Sequence, residues 1–453
     1  MKLEGKRILV IGMARSGVAA AELLLHHGAL PVLSDTKKKE AFGRELDRLQ
    51  NTSCEFRLGE DAVKLLSSVE GVVISPGVPI DAPIVLAAKD KGIPLIGELE
   101  LAYSLLQGEV LAVTGTNGKT TTVTLLGKMF ENAGQVAYVA GNIGYPLSAV
   151  ALESKKDDVI VTEVSSFQLE SIKTFRPRVA ALLNITEDHL NRHGTMAQYA
   201  KLKQRLFENQ TETDVAVLNL DDAEVAKMAG KIKSKVTYFS RTQSVAEGAC
   251  IEDGKIVWSL DGVKKFICDT DMVLIPGPHN LENALAATAV AASMGVPTPV
   301  IRHTLQSFTG VEHRIEKVRV YQGVVYINDS KGTNIDSTMK AVQSMKAPTV
   351  LILGGYDKHT DFTPLCMEIA ATGYIDHVVV IGQTAKQIRN TLEEAGYENV
   401  VRAYSMEEAI QKSGELAVPG GNVLLSPACA SFDMFRDYEH RGEVFKELVN
   451  QLS

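Results

Sequence analysis

The sequence predicts an α/β protein of three domains, each built on a mainly parallel sheet. Apolar segments of strand length that end in polar or Gly-rich loops recur along the 453 residues, for example "RILVIGMARSG", "LAVTGTNGKT" and "TVLILGGYDKHTD". Helical patterns lie between these segments, which is typical of parallel sheets with ligand sites at the carboxyl ends of the strands. A chain of this length also exceeds one ordinary hydrophobic core, so several domains are expected.

The composition is that of a globular protein, and it excludes several functional classes. Hydrophobic residues make up 45% of the chain, charged residues make up 23%, and the formal net charge is −8. Nucleic-acid-binding surfaces are basic, so no nucleic-acid partner is expected. The five cysteines form no C-x-x-C pair, which argues against zinc and disulfides. No apolar stretch has the length of a membrane span or a signal peptide, so we expect a cytoplasmic monomer without a membrane partner.

Residues 1–97 are predicted to form a Rossmann-like domain. Gly12, Ala14 and Gly17 occupy the three glycine positions of the dinucleotide fingerprint. Asp35 follows at the end of the next apolar segment, where the fingerprint has an acidic residue. This pattern favours a nucleotide diphosphate at the N-terminus of the first helix, with Asp35 near the nucleoside. A purely structural turn is the alternative, because alanine replaces the middle glycine.

A shortened phosphate loop marks the second domain, which is predicted over residues 98–310 with a P-loop ATPase-like fold. In "VLAVTGTNGKTTTVTLLGKMF" a strand pattern leads into Gly118, Lys119 and Thr120, as the generic motif requires. The first glycine of that motif is missing, and the upstream glycine is Gly115. A helical pattern follows the loop. This context predicts an ATP site with Lys119 exposed on the β- and γ-phosphates and Thr120 on Mg²⁺. A tight structural turn is the alternative.

The rest of the chain predicts a late insertion in the second domain and a third domain over residues 311–453. The turn-rich segment 240–266 has short alternating patterns, which predict small strands. An Ala-rich helix is predicted in "GPHNLENALAATAVAASMG", and "FTGVEHRIEKV" marks the passage to the third domain, predicted as Rossmann-like.

Several polar residues lie at or near predicted strand ends, and the residues alone leave their roles open. Glu163 ends the pattern "VIVTEVSS" and could bind Mg²⁺ beside ATP, or be a solvated strand-end carboxylate. His189 in "NITEDHLNRHGT" could hold a metal or belong to a surface cluster. Lys203 in "QYAKLKQRLFEN" has the pattern of an exposed helix lysine.

The later candidates have two interpretations each. Asn280 and Asn283 in "GPHNLENALAA" could face a base or ribose, although Asn280 could equally cap the helix. Arg314 in "EHRIE" could clamp a phosphate or lie on the surface. Asp329 and Lys331 in "VYINDSKGTN" follow a strand pattern, where either a ligand site or simple turn chemistry is expected.

Taken in order, these motifs resemble those of the muramoyl peptide ligases, and most closely the branch that adds D-glutamate. The resemblance runs almost end to end through nine motifs: "TGTNGKTT", "GNIG", "TEVSSFQLE", "NITEDHLNRHGT", "HNLENALAA", "HRIE", "NDSKGTN", "GGYDKHTDF" and "LLSPACASFDMF". The D-N-P-R motif of the relatives that add a diamino acid is absent from the sequence. The resemblance implies ATP-dependent, ADP-forming amide synthesis through an acyl phosphate, with Mg²⁺, UDP-N-acetylmuramoyl-L-alanine and D-glutamate, in peptidoglycan precursor synthesis.

The resemblance also implies roles in ATP and metal binding. The residues that would hold the ATP phosphates are Gly115, Thr116, Asn117, Gly118, Lys119, Thr120 and Thr121. Other nucleotide contacts would come from Asn283, Arg314 and, at the ribose, Asp329. The residues that would bind Mg²⁺ are Thr120, Glu163, His189 and Lys203. In this family the lysine at the position of Lys203 is carbamylated, and the catalytic residues would be Lys119, His189 and Lys203.

Substrate-binding roles follow from the same resemblance. The residues that would contact the UDP-linked acceptor are Ser16, Asp35, Thr36, Asn142 and His189. Those that would hold the carboxylates of D-glutamate are Thr333, Lys358, Ser431 and Tyr438. Tyr438 stands at a position where a relative has phenylalanine.

Three rival functions are weighed against this one. A nicotinamide-dependent oxidoreductase would suit the first domain, but it leaves Lys119 and the phosphate loop without a role. A folylpolyglutamate synthase shares the ATP core, but that family starts close to the ATP loop and lacks a separate first domain. A non-catalytic nucleotide-binding switch would release no ADP in response to an acceptor and an amino acid.

Overall fold

The computed structural model describes residues 3–39, 42, 44–356 and 360–452. This part of the chain contains three sheets, and each is mainly parallel, as the sequence predicts. The first sheet consists of β1 Arg7–Ile11, β2 Leu30–Asp35, β3 Glu55–Leu58, β4 Gly71–Ile74 and β5 Leu95–Gly97. The strands pair in parallel in the order β3-β2-β1-β4-β5, so the order reverses between β1 and β4, where doubly wound folds bind ligands.

Helices connect and follow these strands. They are α1 Arg15–His26, α2 Pro83–Asp90 and α3 Glu98–Tyr103, with 3₁₀ turns at Arg44–Leu49 and Ala62–Ser68. Strands β1 and β4 are nearly continuous apolar runs, "RILVI" and "GVVI", and almost all their residues are buried. Such runs are expected in a parallel sheet that is covered on both faces.

The second sheet has nine strands within the described residues. They are β6 Glu109–Thr114, β7 Ala137–Gly141, β8 Val159–Glu163, β9 Val179–Leu182, β10 Val215–Asn219, β11 Lys235–Ser240, β12 Gly248–Glu252, β13 Lys255–Leu260 and β14 Val263–Asp269. Their order is β14-β13-β12-β11-β10-β9-β6-β8-β7. The pairs from β7 to β12 are parallel, whereas β13 is antiparallel to both of its neighbours. The insertion predicted for 240–266 therefore extends this sheet as β12, β13 and β14.

The helices of this region are mostly short. They are α4 Lys119–Asn132, α5 Leu147–Ala151, α6 Ser166–Leu169, α7 Leu190–His193, α8 Met196–Gln204, α9 Ala223–Ala226, α10 Pro278–Ser293 and α11 Thr298–Ser307. Further 3₁₀ turns lie at Arg205–Phe207, Ala229–Lys231 and Thr270–Met272. Strand β6 lies between β9 and β8 in the sheet, so the phosphate loop that follows β6 is flanked by the segments that follow these two strands.

The third sheet consists of β15 Glu316–Tyr321, β16 Val324–Asn328, β17 Thr349–Leu353, β18 Ile375–Val380, β19 Val400–Arg402 and β20 Asn422–Leu425. The order is β15-β16-β20-β17-β18-β19, and only the β15–β16 pair among these described strands is antiparallel. The helices are α12 Ile335–Ser344, α13 Thr363–Thr372, α14 Ala385–Glu394, α15 Met406–Leu416 and α16 Tyr438–Gln451.

The chain divides into two compact units. The first unit is Met1–Met272 with Glu282–Gln306, and the second is Val273–Leu281 with Ser307–Ser453. The first two sheets therefore share one unit, although the sequence predicts a separate domain for each, and the exact boundaries at 97 and 310 stay predictions. Within the described ranges, none of the helices combines the length and the hydropathy that a bilayer span needs.

A buried carboxylate joins the first two sheets in the first unit. Glu100 on α3 accepts hydrogen bonds from the backbone N–H groups of Lys173, Thr174 and Phe175, at 2.8, 2.7 and 3.1 Å. Its residue exposure is only 4%, and four donors, including the Thr174 hydroxyl, compensate the cost of burying its charge. The segment that follows β5 is thus attached to the loop that precedes β9.

Candidate active site

The phosphate loop connects β6 to α4 and depends on one glycine conformation. Gly118 has φ 85°, a left-handed value that glycine adopts without strain. A Cβ atom there would lie 2.2 Å from Oδ1 of Asn283, so a side chain would also collide. Because Gly118 immediately precedes α4, the positive end of that helix lies at the loop, as an anion site requires.

Residues after β9 hold the loop in shape. The Asn117 N–H donates to Asn184 Oδ1 at 2.9 Å, and Asn184 Nδ2 donates back to Asn117 O at 3.1 Å. The Thr116 N–H donates to Asn184 O at 3.0 Å, and the Thr116 hydroxyl donates to Thr186 O at 3.1 Å. The "NIT" part of the "NITEDH" motif thus fixes the conformation of the phosphate loop.

Two lysine ammonium groups converge on one carbonyl oxygen of this loop. Lys119 Nζ donates to Gly115 O at 2.8 Å and to Thr116 O at 2.7 Å, so the side chain folds back on its own loop. Lys203 Nζ donates to the same Gly115 O at 2.8 Å. The expectation that Lys119 would be exposed is wrong, because this contact leaves it half-buried.

Lys203 is buried, with an exposure of 1%, so the exposed-lysine pattern of its helix is misleading. Burial lowers the pKa of its ammonium well below the usual value, and the positive charge of Lys119 lowers it further, against the opposing influence of Asp188 and Glu163. A neutral amine is therefore much easier to form here than on a solvated lysine.

Glu163 ends β8 and is buried at 2% exposure, so the interpretation as a solvated carboxylate is wrong. Its Oε2 accepts from the Thr120 hydroxyl at 2.8 Å, and its Oε1 accepts from Asn142 Nδ2 at 2.8 Å. A hydroxyl and a carboxylate side by side are hard oxygen donors that fit Mg²⁺. No cluster of three or more His, Cys, Asp or Glu residues suited to a metal occurs in the described part of the chain.

His189 lies at the N-terminus of α7 in a left-handed conformation with φ 54°. Its imidazole Nε2 is 3.5 Å from Asp188 Oδ2, and its ring centroid is 4.8 Å from that of Phe167. The side chain is 38% exposed. A non-glycine residue in this conformation is uncommon and occurs at functional sites.

The turn after β1 keeps the geometry of the dinucleotide fingerprint despite its alanine. Gly17 packs against the strand so closely that a Cβ there would lie 1.8 Å from Gly12 O. Ala14 precedes α1 with φ −76° and ψ −174°, an extended conformation that any residue adopts. The replacement of the middle glycine therefore costs no backbone strain.

Asp35 supports this turn. Its Oδ2 accepts from the Met13 N–H at 2.8 Å, and its Oδ1 accepts from the Lys37 N–H at 2.9 Å. Ser16 is half-buried in the first turn of α1, and Thr36 is exposed after β2. These residues lie at the carboxyl end of the first sheet, and their role in substrate binding stays a prediction.

The two asparagines of α10 are buried and differ in their partners. Asn283 is 5% exposed, and its Oδ1 accepts from the Thr122 hydroxyl at 3.4 Å. Thr122 lies on α4, the helix that follows the phosphate loop. Asn280 lies inside the helix rather than before it, and its Nδ2 donates to Pro276 O at 2.7 Å. Asn280 therefore does not serve as the N-cap that the sequence allowed.

In the second unit, the "HRI" segment precedes β15 with unusual backbone. His313 has φ 62° and Ile315 has φ 47°, and both are non-glycine residues in the left-handed region. Arg314, between them, donates to the Ser337 hydroxyl and leaves only 15% of its side chain exposed. The strained segment thus directs Arg314 inward, and the interpretation as a surface charge is wrong.

Asp329 follows β16 and has an exposure of 0%. Its Oδ2 accepts from the Ser426 hydroxyl at 2.7 Å, its Oδ1 accepts from the Ile315 N–H at 3.2 Å, and Arg314 Nη1 lies 3.9 Å away. Burial raises the pKa of Asp329 to about 6 in spite of these partners.

The residues predicted to hold D-glutamate follow neighbouring strands of the third sheet. Thr333 is half-buried after β16, and Ser431 is buried after β20, which is the parallel neighbour of β16. Tyr438 begins α16, and its hydroxyl accepts from Lys331 Nζ at 3.2 Å. Lys358 lies outside the described residues. The role of this group in binding an amino acid stays a prediction.

Sequence reasoning missed two buried residues beside these groups. Tyr199 lies four residues before Lys203 on α8, with its hydroxyl 3.3 Å from Thr116 Oγ1 and its ring centroid 4.6 Å from Lys203 Nζ. That helical spacing places the two on one face, but it does not show that the face is buried. Arg441 on α16 is 1% exposed, and its acceptors are Ser330 Oγ, Ser330 O, Cys429 O and Ala430 O. Arg441 lies among charged residues in the sequence "DYEHRGE", and that pattern does not indicate a buried side chain.

Three family models match the chain in succession. Residues 6–97 match the Mur ligase MurD-like N-terminal domain, residues 113–291 match the Mur ligase middle domain, and residues 313–429 match the Mur ligase glutamate ligase domain.

Curated proteins and solved structures give the same picture. The UDP-N-acetylmuramoylalanine–D-glutamate ligases of Alkaliphilus oremlandii and Clostridioides difficile are 47% and 44% identical to the chain, and each alignment covers 100% of both proteins. The solved structure of the UDP-N-acetylmuramate–alanine ligase of Thermotoga maritima aligns with a TM-score of 0.62 at 18% identity, covering 98% of this chain and 99% of that one. At this identity the structural likeness concerns the fold.

Proposed function

This chain belongs to the Mur ligase family, and from that premise we propose that it joins D-glutamate to UDP-N-acetylmuramoyl-L-alanine in an ATP-dependent, ADP-forming step of peptidoglycan precursor synthesis. The observation that carries the proposal is the convergence of Lys119 and Lys203 on Gly115 O of a phosphate loop, next to the Thr120–Glu163 pair. That arrangement supports phosphoryl transfer. A nicotinamide-dependent oxidoreductase would have no use for it.

The chemistry needs activation of the acceptor carboxylate, which is a poor electrophile. An oxygen of that carboxylate forms a bond to the γ-phosphorus of ATP, the bond from that phosphorus to the β-phosphate oxygen breaks, and ADP leaves. Lys119, which reaches the loop carbonyls in this conformation, would neutralise charge on the transferring group. The neutral amine of D-glutamate then attacks the acyl phosphate carbonyl, the bond from that carbon to the phosphate oxygen breaks, and the nitrogen loses a proton as phosphate leaves and the amide forms.

Thr120 and Glu163 are the residues that would hold Mg²⁺, with His189 as a further ligand near the acceptor. The ion supplies charge neutralisation on the phosphates when it is bound. Asn142 keeps Glu163 oriented through its 2.8 Å hydrogen bond, as a supporting partner of a metal ligand should.

Lys203 is proposed to be carbamylated. An ammonium there would repel both Mg²⁺ and Lys119, whereas its neutral amine can add CO₂, lose a proton and become a carbamate anion with two hard oxygen donors. Two features support the proposal: the burial of Lys203, and the lowered pKa that burial and the charge of Lys119 produce. The Tyr199 ring packs against the Lys203 side chain, with its centroid 4.6 Å from Lys203 Nζ.

The remaining assignments are proposals of the same kind. ATP contacts come from the loop residues 115–121 and from Asn283, Arg314 and Asp329. The acceptor is assigned to Ser16, Asp35, Thr36, Asn142 and His189. D-glutamate is assigned to Thr333, Lys358, Ser431 and Tyr438. We further infer domains over 1–97, 98–310 and 311–453, and a cytoplasmic monomer.

A phosphate-release assay tests the function. Purified protein with ATP and Mg²⁺ is supplied with UDP-N-acetylmuramoyl-L-alanine and, one at a time, D-glutamate, L-glutamate, D-aspartate and glycine. We expect release only when the acceptor and D-glutamate are both present, because a site that fixes both carboxylates presents the amine of one enantiomer. Equal rates with L-glutamate would contradict the amino-acid site, and release without any acceptor would contradict the ligase. Fluorescence enhancement of added NADH would favour the oxidoreductase.

A further inference from the structure

A cluster of buried charged and polar side chains lies behind α7, the single helical turn that follows His189. It consists of Ser166, Glu170, Arg192 and His193. The side chains of Glu170 and His193 are only 4% and 1% exposed, and Arg192 is 18% exposed. None of these residues belongs to the assigned substrate or metal set, so their burial needs another explanation.

Glu170 is the centre of the cluster. Both of its oxygens accept from Arg192. The Arg192 Nε donates to Oε1 at 3.3 Å and the Nη2 donates to Oε2, so the pair is bidentate. Its Oε1 is also 3.5 Å from Nδ1 of His193. Two consecutive basic residues at the end of α7 are therefore held by one carboxylate on the opposite segment.

His193 continues the cluster through its other nitrogen. Nε2 is 3.0 Å from the Ser166 hydroxyl, so a proton on Nδ1 facing Glu170 leaves Nε2 to accept from that hydroxyl. Serine, histidine and glutamate in this order resemble a hydrolase triad, but Ser166 is only 3% exposed and lies where no substrate carbonyl can reach it. The arrangement therefore serves structure around the site rather than a second reaction.

The cluster contacts three parts of the first unit. Arg192 donates to Val78 O at 3.2 Å, in the loop after β4 of the first sheet, and its guanidinium lies 4.4 Å from the Phe167 ring centroid. The His193 ring stacks on Tyr199 with centroids 5.3 Å apart, and Tyr199 in turn contacts Thr116 and Lys203. Through the backbone, the His193 N–H donates to His189 O at 3.1 Å.

We propose that Glu170 is a positioning residue, which holds α7 through Arg192 and His193 so that His189 keeps its left-handed conformation beside the acceptor site. The proposal rests on the proposed function, because it takes His189 to contact the acceptor. The strained φ of His189 persists only if the surrounding structure maintains it. The Glu170 cluster can do so, because it contacts both the α7 backbone and the loop that follows β4.

The test compares two buried glutamates. Glu170→Gln keeps the shape and removes the charge that holds Arg192, whereas Glu100→Gln makes the same change at a 4% exposed carboxylate that binds residues 173–175 instead. Hydrogen–deuterium exchange is read at the amides of Arg192, His193 and Gly194, which donate to His189 O and Leu190 O. We expect exchange there to accelerate about tenfold or more in Glu170→Gln and to stay unchanged in Glu100→Gln.

Binding supplies the second measurement. Calorimetric titration with UDP-N-acetylmuramoyl-L-alanine should show a Kd raised about tenfold in Glu170→Gln and unaltered in Glu100→Gln, with the KM for ATP unaffected in both. If Glu170→Gln does not fold, His193→Gln replaces it, with the same expected changes of smaller size. Unchanged exchange at 192–194, or equal changes in the Glu100→Gln protein, would overturn the proposal. A wild-type protein that fails to bind this nucleotide would instead refute the proposed function, because the exchange comparison needs no ligand.

Discussion

The two compact units hold basic side chains in opposite surroundings. In the first unit, the side-chain nitrogens of Lys119 and Lys203 donate to the same carbonyl oxygen, so the charge of Lys119 disfavours a positive charge on Lys203. In the second unit, the Arg441 guanidinium is 1% exposed and donates to four oxygens, three backbone carbonyls and one hydroxyl. Burial lowers the pKa of Arg441 to about 10, which still leaves it charged at neutral pH.

This difference separates residues kept for reaction from residues kept for structure. Like charges at a shared acceptor destabilise a folded protein and are tolerated where a ligand of opposite charge is used. A buried cation whose donors are all used is, in contrast, expensive to remove, because its acceptors would be left buried without a partner. Substitutions in the first group should therefore change turnover, and substitutions in the second should change the free energy of unfolding.

The largest effect is expected for Lys119→Ala. Turnover should fall by about 10³-fold, because the variant lacks the lysine charge that stabilises the negative charge of the transferring phosphoryl group. The protein should stay folded, since Lys119 is only half-buried in the phosphate loop and is not part of a hydrophobic core. Steady-state phosphate release and thermal unfolding measure the two quantities. Lys128→Ala is the control, because Lys128 lies on the same helix but forms an exposed ion pair with Glu131. A folded Lys119→Ala protein with normal turnover would refute the ATP site.

Lys203→Ala should lower turnover by about 10²-fold, again without unfolding the chain. Acetate at increasing concentration should restore part of the rate, because a small carboxylate can replace the anion that a carbamate supplies. Chloride at equal ionic strength controls for screening. The matched variant is Lys201→Ala, an exposed position on the same helix. Full activity of Lys203→Ala would show that the side chain has no role, and a failure of acetate would count against the carbamate.

The contrast between these sites also explains what the sequence could predict. The phosphate loop is a local motif after a strand, and Glu163 ends another strand, so chain-local patterns were sufficient for both. Lys203 was predicted as exposed because its burial comes from the approach of α8 to the distant Gly115, a tertiary contact that helical periodicity does not contain. The three sheets were predictable from alternating strand and helix patterns, whereas the joining of the first two in one unit comes from contacts between distant residues, such as those of Glu100 with residues 173–175.

Arg441→Met should act on stability. Its loss leaves the carbonyls of Ser330, Cys429 and Ala430 buried without their donor, so the free energy of unfolding should fall by about 3 kcal/mol. Native-state hydrogen exchange of the β20 amides reports this change for the second unit. Arg389→Met, which removes an exposed pair with Glu393, should cost less than about 1 kcal/mol. Equal losses in the two variants would contradict the view of Arg441 as a structural cation.

The smallest effect expected concerns pH and Asp329. Its pKa rises from 3.8 to about 6 on folding, chiefly through burial. The folded protein therefore binds this proton more tightly than the unfolded chain, and the free energy of unfolding should fall as the pH rises from about 4 to about 6. Between pH 5 and pH 7 the contribution is about 1 kcal/mol. Asp329→Asn has no titrating group, so the variant should gain stability relative to the wild type by that amount over the same interval. Urea unfolding followed by circular dichroism at pH 5, 6 and 7 measures both proteins. Parallel pH dependences would show that Asp329 is charged in the folded protein throughout, and that Ser426, Ile315 and Arg314 compensate the cost of burying its charge.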